Sequence, residues 1–144
     1  NPFLGTKLAK AGQGLVPAME VRAPIVAVHP LKKGRSISYG GTFTAKKNMT
    51  VAIVAAGYAD GYSQGLSNKA EMVVNGGRAR ILGRICMQLT AVDVTSLPET
   101  KPGDFAWLLG GEGAPITPEE LAAWWGTITY EVFCLLGLNR REYV

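Results

Sequence analysis

Histidine and cysteine are scarce in this chain. Its 144 residues include one histidine, His29, and two cysteines, Cys86 and Cys134. Without Cys-x-x-Cys spacing a zinc site has almost no ligands to draw on, so we predict no metal site. A Ser-His-Asp triad would have to use His29, at a predicted strand end where we expect solvent exposure. Both cysteines lie in apolar strings, which favours buried free thiols and a reducing, cytoplasmic location.

Long apolar runs and concentrated charge are missing too. No apolar segment reaches the roughly 18 to 20 residues of a membrane helix, and no charged segment followed by an apolar stretch marks a secretion signal. The net charge is only +4, and the basic residues form short pairs without interleaved aromatic side chains. We therefore expect neither a membrane nor a nucleic acid as partner. The chain opens at Asn1 rather than Met, which favours a piece of a longer protein.

Short apolar segments separated by glycine-rich turns make up most of the chain. Hydrophobic residues amount to 47%, enough to bury the core of one compact domain. Asn75-Gly76-Gly77 between two apolar runs is the clearest hairpin signal. This pattern predicts a mainly β fold, a closed or partly open β-barrel or sandwich. The predicted strands are Ala18–Pro30 (an edge strand, or a bend at Pro24), Ser36–Ala45, Met49–Ala56 (central and buried on both faces), Met72–Val74, Ala79–Ile81, Leu89–Val94 and Phe105–Leu109.

Helices are few in this pattern. Thr117 is a good N-cap, Pro118 suits the first helical position, and Gly126 is a suitable end for a helix between them. Tyr130 to Leu136 fits a helix or a strand, and periodicity does not decide between them. We therefore expect one or two short helices.

Two tyrosines stand beside glycine turns at the ends of apolar strands. Tyr39 lies in Ile37-Ser38-Tyr39-Gly40-Gly41-Thr42, and Tyr58 lies in Gly57-Tyr58-Ala59-Asp60-Gly61-Tyr62. Glycine permits a sharp turn, so such a phenol is held at a rigid edge where its hydroxyl can donate, accept or carry a proton. Taken alone, each motif is more typical of an ordinary half-buried strand tyrosine.

Two further segments carry a family resemblance. These are Gly83-Arg84-Ile85-Cys86-Met87-Gln88, followed by Val92-Asp93-Val94-Thr95, and Gly126-Thr127-Ile128-Thr129-Tyr130-Glu131. Read in order with the tyrosine motifs, they resemble the C-terminal domain of alanine racemase from about Val16 to Tyr143. The resemblance implies an enzyme that uses pyridoxal 5′-phosphate (PLP) to interconvert L- and D-alanine for bacterial cell walls. It also implies that residues 16–144 form the C-terminal β domain and residues 1–15 the tail of a preceding domain or a linker.

The resemblance implies a division of labour between domains and subunits. In the family, PLP is bound to a lysine of an N-terminal (β/α)8 barrel, and that lysine is one base. The opposing base is a tyrosine from the other subunit of a homodimer, and the motif assigns this role to Tyr39. None of the eight lysines here has the context of the family's PLP lysine. We therefore predict that the isolated chain is inactive and binds PLP weakly or not at all.

Four other residues match family positions. Tyr58 resembles the tyrosine at the narrow entrance to the active site, and Arg84 resembles an arginine of the substrate corridor. Met87 resembles the position whose backbone amide binds the substrate carboxylate. Tyr130 resembles the tyrosine whose hydroxyl reaches the PLP phosphate within its own subunit. Asp60 is interpreted separately, as a cap that accepts hydrogen bonds from the backbone of the Tyr58 turn.

Two departures from the family pattern affect the expected site, and two other functions also stay open. Gln88 stands where the family usually has Asp or Asn, and Gln64 stands where an arginine is common. One alternative is a racemase domain for serine or for a broad range of amino acids. The other is a non-catalytic β-barrel interaction module.

Overall fold

The structure is a computed structural model that describes residues 18–140 and 142–143. The predicted tail, residues 1–15, lies outside these ranges. In chain order the elements are β1 (Val21–Leu31), β2 (Ser36–Ile37), β3 (Phe43–Thr44), β4 (Met49–Val54), β5 (Glu71–Val74), β6 (Gly77–Arg80), β7 (Thr90–Asp93), β8 (Phe105–Leu109), α1 (Pro118–Trp125) and α2 (Thr129–Leu136).

Six of the strands form one antiparallel sheet that curls into a nearly closed barrel. Their order is β6-β5-β8-β1-β4-β7. The two ends of this order meet because Ile81, just after β6, forms a bridge with Val92 of β7. The Leu82 N–H donates to the Ala91 carbonyl at 2.8 Å and strengthens this closure. The prediction of a mainly β fold with one or two short helices is confirmed, and of its two alternatives, barrel and sandwich, the fold is the barrel.

Strand β1 lies inside the sheet, so the prediction of an edge strand is wrong. Its first part, Val21 to Pro24, pairs with β8, and the rest, from Ile25, pairs with β4. The register shifts between Ile25 and Ala27, next to Pro24, which agrees better with the alternative of a bend. Proline is tolerated there because the partner strand changes at that point.

Residues 36–45 form a small hairpin rather than one continuous strand. β2 and β3 are two residues each and pair with one another, and Tyr39–Gly41 form a 3-10 turn between them. Ile37 and Phe43 pack on a small buried cluster that includes Met49 and Leu82. The hairpin is therefore fastened to the barrel wall on one side and carries Tyr39 at its tip.

The two helices pack against one another and close one side of the barrel core. Thr117 and Glu120 form a capping box at the start of α1, and Gly126 ends the helix with a φ of 85°, as the sequence predicts. The region left undecided, Tyr130 to Leu136, is helical. None of the helices in the described ranges is long and apolar enough to cross a membrane.

The main core lies between the barrel wall and the helices. Its largest fully buried side chains are apolar except for the hydroxyl of one tyrosine, Tyr62. They include Ile25, Leu66, Met72, Leu108, Leu121 and Leu136. Burial of this apolar surface is the main stabilising contribution to the fold.

Candidate functional site

Tyr39 lies at the tip of the β2–β3 hairpin, with 74% of its side chain exposed. Gly40 and Gly41 follow with φ values of 71° and 54°, which glycine adopts without a Cβ clash. A Cβ placed on Gly40 would lie 3.7 Å from the Arg84 guanidinium, so this cation borders the Tyr39 turn. The phenol is therefore presented outward from a tight turn and is not packed in the core.

Tyr58 begins a second 3-10 turn, Tyr58–Asp60, and is 45% exposed. The Gly57 N–H donates to Asp60 Oδ2 at 2.9 Å, which confirms the capping role predicted for Asp60. A Cβ on Gly57 would lie 2.2 Å from the Cys86 carbonyl oxygen. Only glycine permits this close approach of the turn to the segment that carries Cys86.

The segment Gly83–Met87 runs between the two tyrosine turns and bonds to both. On one side the Ser38 hydroxyl donates to the Arg84 carbonyl oxygen at 2.5 Å. On the other side the Tyr58 N–H donates to the Cys86 carbonyl at 3.1 Å, and the Ala59 N–H donates to the Met87 carbonyl at 2.8 Å. Four predicted site residues, Tyr39, Tyr58, Arg84 and Met87, are thus brought onto one surface, which we call the tyrosine rim.

Two residues that the sequence analysis missed support the rim from below. Asn68 accepts a hydrogen bond from the Gly83 N–H at 2.7 Å and donates to the Thr42 hydroxyl at 3.2 Å. Ser67 accepts from the Ile85 N–H at 3.0 Å. The sequence signal was weak, since Ser-Asn is typical of any polar turn.

Tyr130 is separate from the rim. It lies in the first turn of α2 and is 67% exposed, and no hydrogen bond or ion pair in the described ranges joins it to the four rim residues. The other end of α2 contacts the back of the Tyr58 turn: a Cβ on Gly61 would lie 2.4 Å from the Leu135 carbonyl oxygen, and Asn139 Nδ2, just after the helix, donates to the Asp60 carbonyl at 2.8 Å. The helix thus connects the two positions without bringing the tyrosines together.

The two cysteines differ from the prediction of buried thiols. Both are free, but Cys86 is half-buried and Cys134 is exposed on α2. The Cys86 sulfur lies 3.6 Å from the Ser38 hydroxyl, within the rim. Cys134 is exposed because its apolar string is helical, and a helix turns some of its residues away from the core.

Tyr62 lies beneath the Tyr58 turn and has a different character from the rim tyrosines. It is fully buried, and its hydroxyl has no hydrogen-bond partner within the described ranges. Burial raises the pKa of the Tyr62 phenol well above its ordinary value. Tyr62 therefore stays neutral and belongs to the core.

The described residues contain no group of three or more His, Cys, Asp or Glu side chains arranged to hold a metal ion. The rim instead combines phenol hydroxyls, one guanidinium and fixed peptide groups. Such groups can transfer a proton, attract an anion and donate hydrogen bonds to it. These features define a β-barrel domain that presents proton-carrying and anion-binding groups on an open surface.

Comparison with known proteins assigns the domain to a family. The sequence profile described as "Alanine racemase, C-terminal domain" matches residues 18–143, and the chain belongs to this family. An alanine racemase from Nitratidesulfovibrio vulgaris (strain Miyazaki F) is 63% identical over 143 residues, which are 99% of this chain and 38% of that protein. The chain thus spans well under half the length of this relative.

Solved structures agree with the family assignment. The biosynthetic alanine racemase from Pseudomonas aeruginosa superposes with a TM-score of 0.85 at 34% identity, covering 96% of this chain and 38% of that one. An alanine racemase from Bartonella henselae with covalently bound pyridoxal phosphate gives a TM-score of 0.77 at 32% identity, covering 87% of this chain and 34% of that one.

Proposed function

We propose that this chain is the C-terminal domain of a PLP-dependent alanine racemase that interconverts L- and D-alanine in the cytoplasm for peptidoglycan synthesis. In this proposal it acts within a homodimer and delivers Tyr39 across the subunit interface to the partner's reaction centre. The observation that carries the proposal is the exposure of Tyr39, 74%, on a turn fixed to the segment that bears Arg84 and Met87.

Racemisation at an α-carbon requires a proton-transfer group on each face of that carbon. The Tyr39 hydroxyl is the group that this chain supplies, and it takes or returns the α-proton on one face. PLP, when bound, would withdraw the electrons left on the α-carbon. Arg84 lies against Gly40, beside Tyr39, where its positive charge favours the approach of a substrate carboxylate.

Met87 and Tyr58 orient and select the substrate. The Cys86 carbonyl accepts from the Tyr58 N–H, so the planar Cys86–Met87 peptide is fixed and its Met87 N–H points to the opposite side. We propose that this N–H donates to the substrate carboxylate. Tyr58, on the other side of the peptide, narrows the entrance and favours a small side chain such as the methyl group of alanine.

Tyr130 fits the phosphate of the cofactor, since an exposed phenol hydroxyl is a suitable donor to phosphate. It lies apart from the tyrosine rim, so we propose that it serves the site of its own subunit while Tyr39 serves the partner's. The Bartonella relative holds PLP covalently. In this chain no lysine matches the family's PLP lysine, so the covalent anchor belongs to the N-terminal domain. The chain alone is therefore inactive.

The outer face of α2 fits a contact with that N-terminal domain. Tyr130 and Cys134, four residues apart on α2, are both exposed, and Leu138, two residues beyond the end of the helix, is exposed as well. Exposed apolar side chains grouped in this way are typical of an interface. We expect a maleimide to label Cys134 rapidly in the isolated chain and at least tenfold more slowly in the native full-length protein. Equal labelling rates, read by peptide mass spectrometry with the unfolded protein as control, would rule out this contact.

The substitution Tyr39→Phe in the full-length protein tests the function. A phenyl ring cannot carry a proton, so we expect the racemisation rate to fall by roughly 10²- to 10⁴-fold. Tyr143→Phe, at an exposed tyrosine remote from the rim in sequence, is the control and keeps full activity. Unchanged activity of Tyr39→Phe would favour an interaction module instead. Turnover of L-alanine against L-serine by the unmodified enzyme separates alanine racemase from a broader racemase.

A further inference from the structure

Ser38, the residue before Tyr39, has a backbone conformation that only glycine adopts readily. Its φ is 65° and its ψ is 175°. The other non-glycine residues with positive φ in the described ranges are Asn68 and Asn75, and asparagine tolerates the left-handed region. A serine with a positive φ and an extended ψ is strained, and such strain persists only where surrounding contacts hold it.

Contacts with the Gly83–Met87 segment hold Ser38 in this conformation, and two of them are close. The first is the 2.5 Å hydrogen bond from its hydroxyl to the Arg84 carbonyl oxygen. The second is the close packing of Gly83, where an added Cβ would lie 2.8 Å from the Ser38 Cβ. Both contacts come from the segment that also binds the Tyr58 turn. Ser38 is therefore a direct side-chain link between the Tyr39 hairpin and the segment that carries Arg84 and Met87.

We infer that Ser38 is a positioning residue, which fixes the direction of the Tyr39 phenol relative to Met87 and Tyr58. This inference rests on the proposed function of Tyr39. The φ and ψ of Ser38 set the direction in which the chain enters Tyr39, so release of the strain rotates the phenol away from its position. Ser38 is half-buried, and its hydroxyl bonds to the Arg84 carbonyl oxygen, so a specific polar contact as well as packing holds its conformation.

Two substitutions in the full-length protein separate the strain from the hydrogen bond. Ser38→Ala removes the bond and keeps a Cβ that disfavours the native conformation, so the turn relaxes. Ser38→Gly also removes the bond, but glycine accepts the native φ and ψ without strain. Ser36→Ala is the control, because it removes a hydroxyl two residues away that bonds to the hydroxyl of Thr44 within the hairpin and not to the rim segment.

We expect kcat to fall by about 10- to 100-fold in Ser38→Ala, with KM changed less than about threefold, because misplacement by roughly 1 Å has effects of this size. Ser38→Gly retains several times more activity than Ser38→Ala, and Ser36→Ala is unaffected. The primary isotope effect with α-deuterated L-alanine rises in Ser38→Ala, since transfer to Tyr39 becomes more rate-limiting. A purely structural role would lower the active fraction and leave the isotope effect unchanged.

Either of two results overturns the inference. The first is that Ser38→Ala keeps kcat within about twofold of the unmodified enzyme. The second is that the activity and the thermal midpoint of Ser38→Ala fall together while its isotope effect stays unchanged. If Ser38→Ala does not fold, Ser38→Gly tests the hydrogen bond alone: its loss loosens the hairpin, so kcat falls at least twofold and the isotope effect rises, and wild-type kcat together with an unchanged isotope effect overturns the inference. Tyr39→Phe in the same series separates this failure from failure of the proposed function. Loss of activity in Tyr39→Phe with no effect at Ser38 refutes the positioning role alone.

Discussion

Removal of one buried hydroxyl should stabilise this domain. The Tyr62 side chain is 0% exposed, and its hydroxyl oxygen has no hydrogen-bond partner in the part of the chain that the structure describes. A buried polar group without a partner destabilises the folded state by about 1 to 3 kcal/mol, because it has lost its hydrogen bonds to water. Tyr62→Phe removes this penalty and keeps the ring that packs in the core.

The small void left by the oxygen reduces the gain, so we expect the free energy of unfolding to rise by about 1 to 2 kcal/mol. For a domain of this size the thermal midpoint would rise by roughly 3 to 6 °C. The assay is urea unfolding of the 144-residue chain followed by tryptophan fluorescence. Tyr143→Phe is the matched control, since its hydroxyl is in solvent and its loss should change stability by less than about 0.5 kcal/mol.

The same reasoning predicts the pH dependence of this effect. Burial raises the pKa of Tyr62 in the folded state above its ordinary value of 10.0. Above that pH the unfolded chain releases the phenol proton and the folded chain does not, so the unmodified protein loses stability as the pH rises. The advantage of Tyr62→Phe therefore grows above pH 10. This reasoning is refuted if Tyr62→Phe is less stable than the unmodified chain and the stability difference does not change above pH 10. That result would mean that the Tyr62 hydroxyl has a hydrogen-bond partner.

Two further substitutions test the packing of the Tyr58 turn and the stability of the fold at low pH. In Gly57→Ala the new Cβ would lie 2.2 Å from the Cys86 carbonyl oxygen. We therefore expect a lower thermal midpoint and loss of activity. Gly65→Ala is the milder control, because its Cβ would lie 3.1 Å from the nearest atom, in the Trp125 side chain. Burial of Glu120 raises its pKa, but hydrogen bonds from the Thr117 N–H and from Arg78 outweigh this and hold the pKa below its ordinary 4.5. The ionised Glu120 therefore stabilises the folded state above pH 4.5, and this stabilisation is lost as the pH falls through the lowered pKa of Glu120. Glu120→Gln should flatten the decline in thermal midpoint below pH 4.5, whereas Glu99→Gln on an exposed turn should leave the decline unchanged.

Local signals in the sequence were sufficient for the elements that depend on neighbouring residues. The cap at Thr117, the proline after it and the glycine that ends α1 interact within a few residues, and the helix begins and ends where they indicate. The Asn75-Gly76 turn between β5 and β6 is local in the same way. Asp60 could be assigned as a cap because its partner, Gly57, is three residues away.

Pairings between segments that are far apart in the sequence are harder to predict from it. Pro24 fits an edge strand or a bend in β1, and only the pairing shows that the strand exchanges partners at that point and lies inside the sheet. The exposure of Cys134 depends on which face of α2 meets the core, and an apolar string does not specify that face. Asn68 and Ser38 were missed because each acts through partners 15 or more residues away.

The sequence by itself determined the family and the barrel class, because residue types at fixed spacing preserve that information. Only the tertiary structure decided that Tyr39, Tyr58, Arg84 and Met87 share one surface and that Tyr130 stands apart. It also decided that a serine next to Tyr39 is held in a strained conformation. The physical reason is that hydrogen bonds between segments 25 or more residues apart set these positions, and their geometry exists only after the chain has folded.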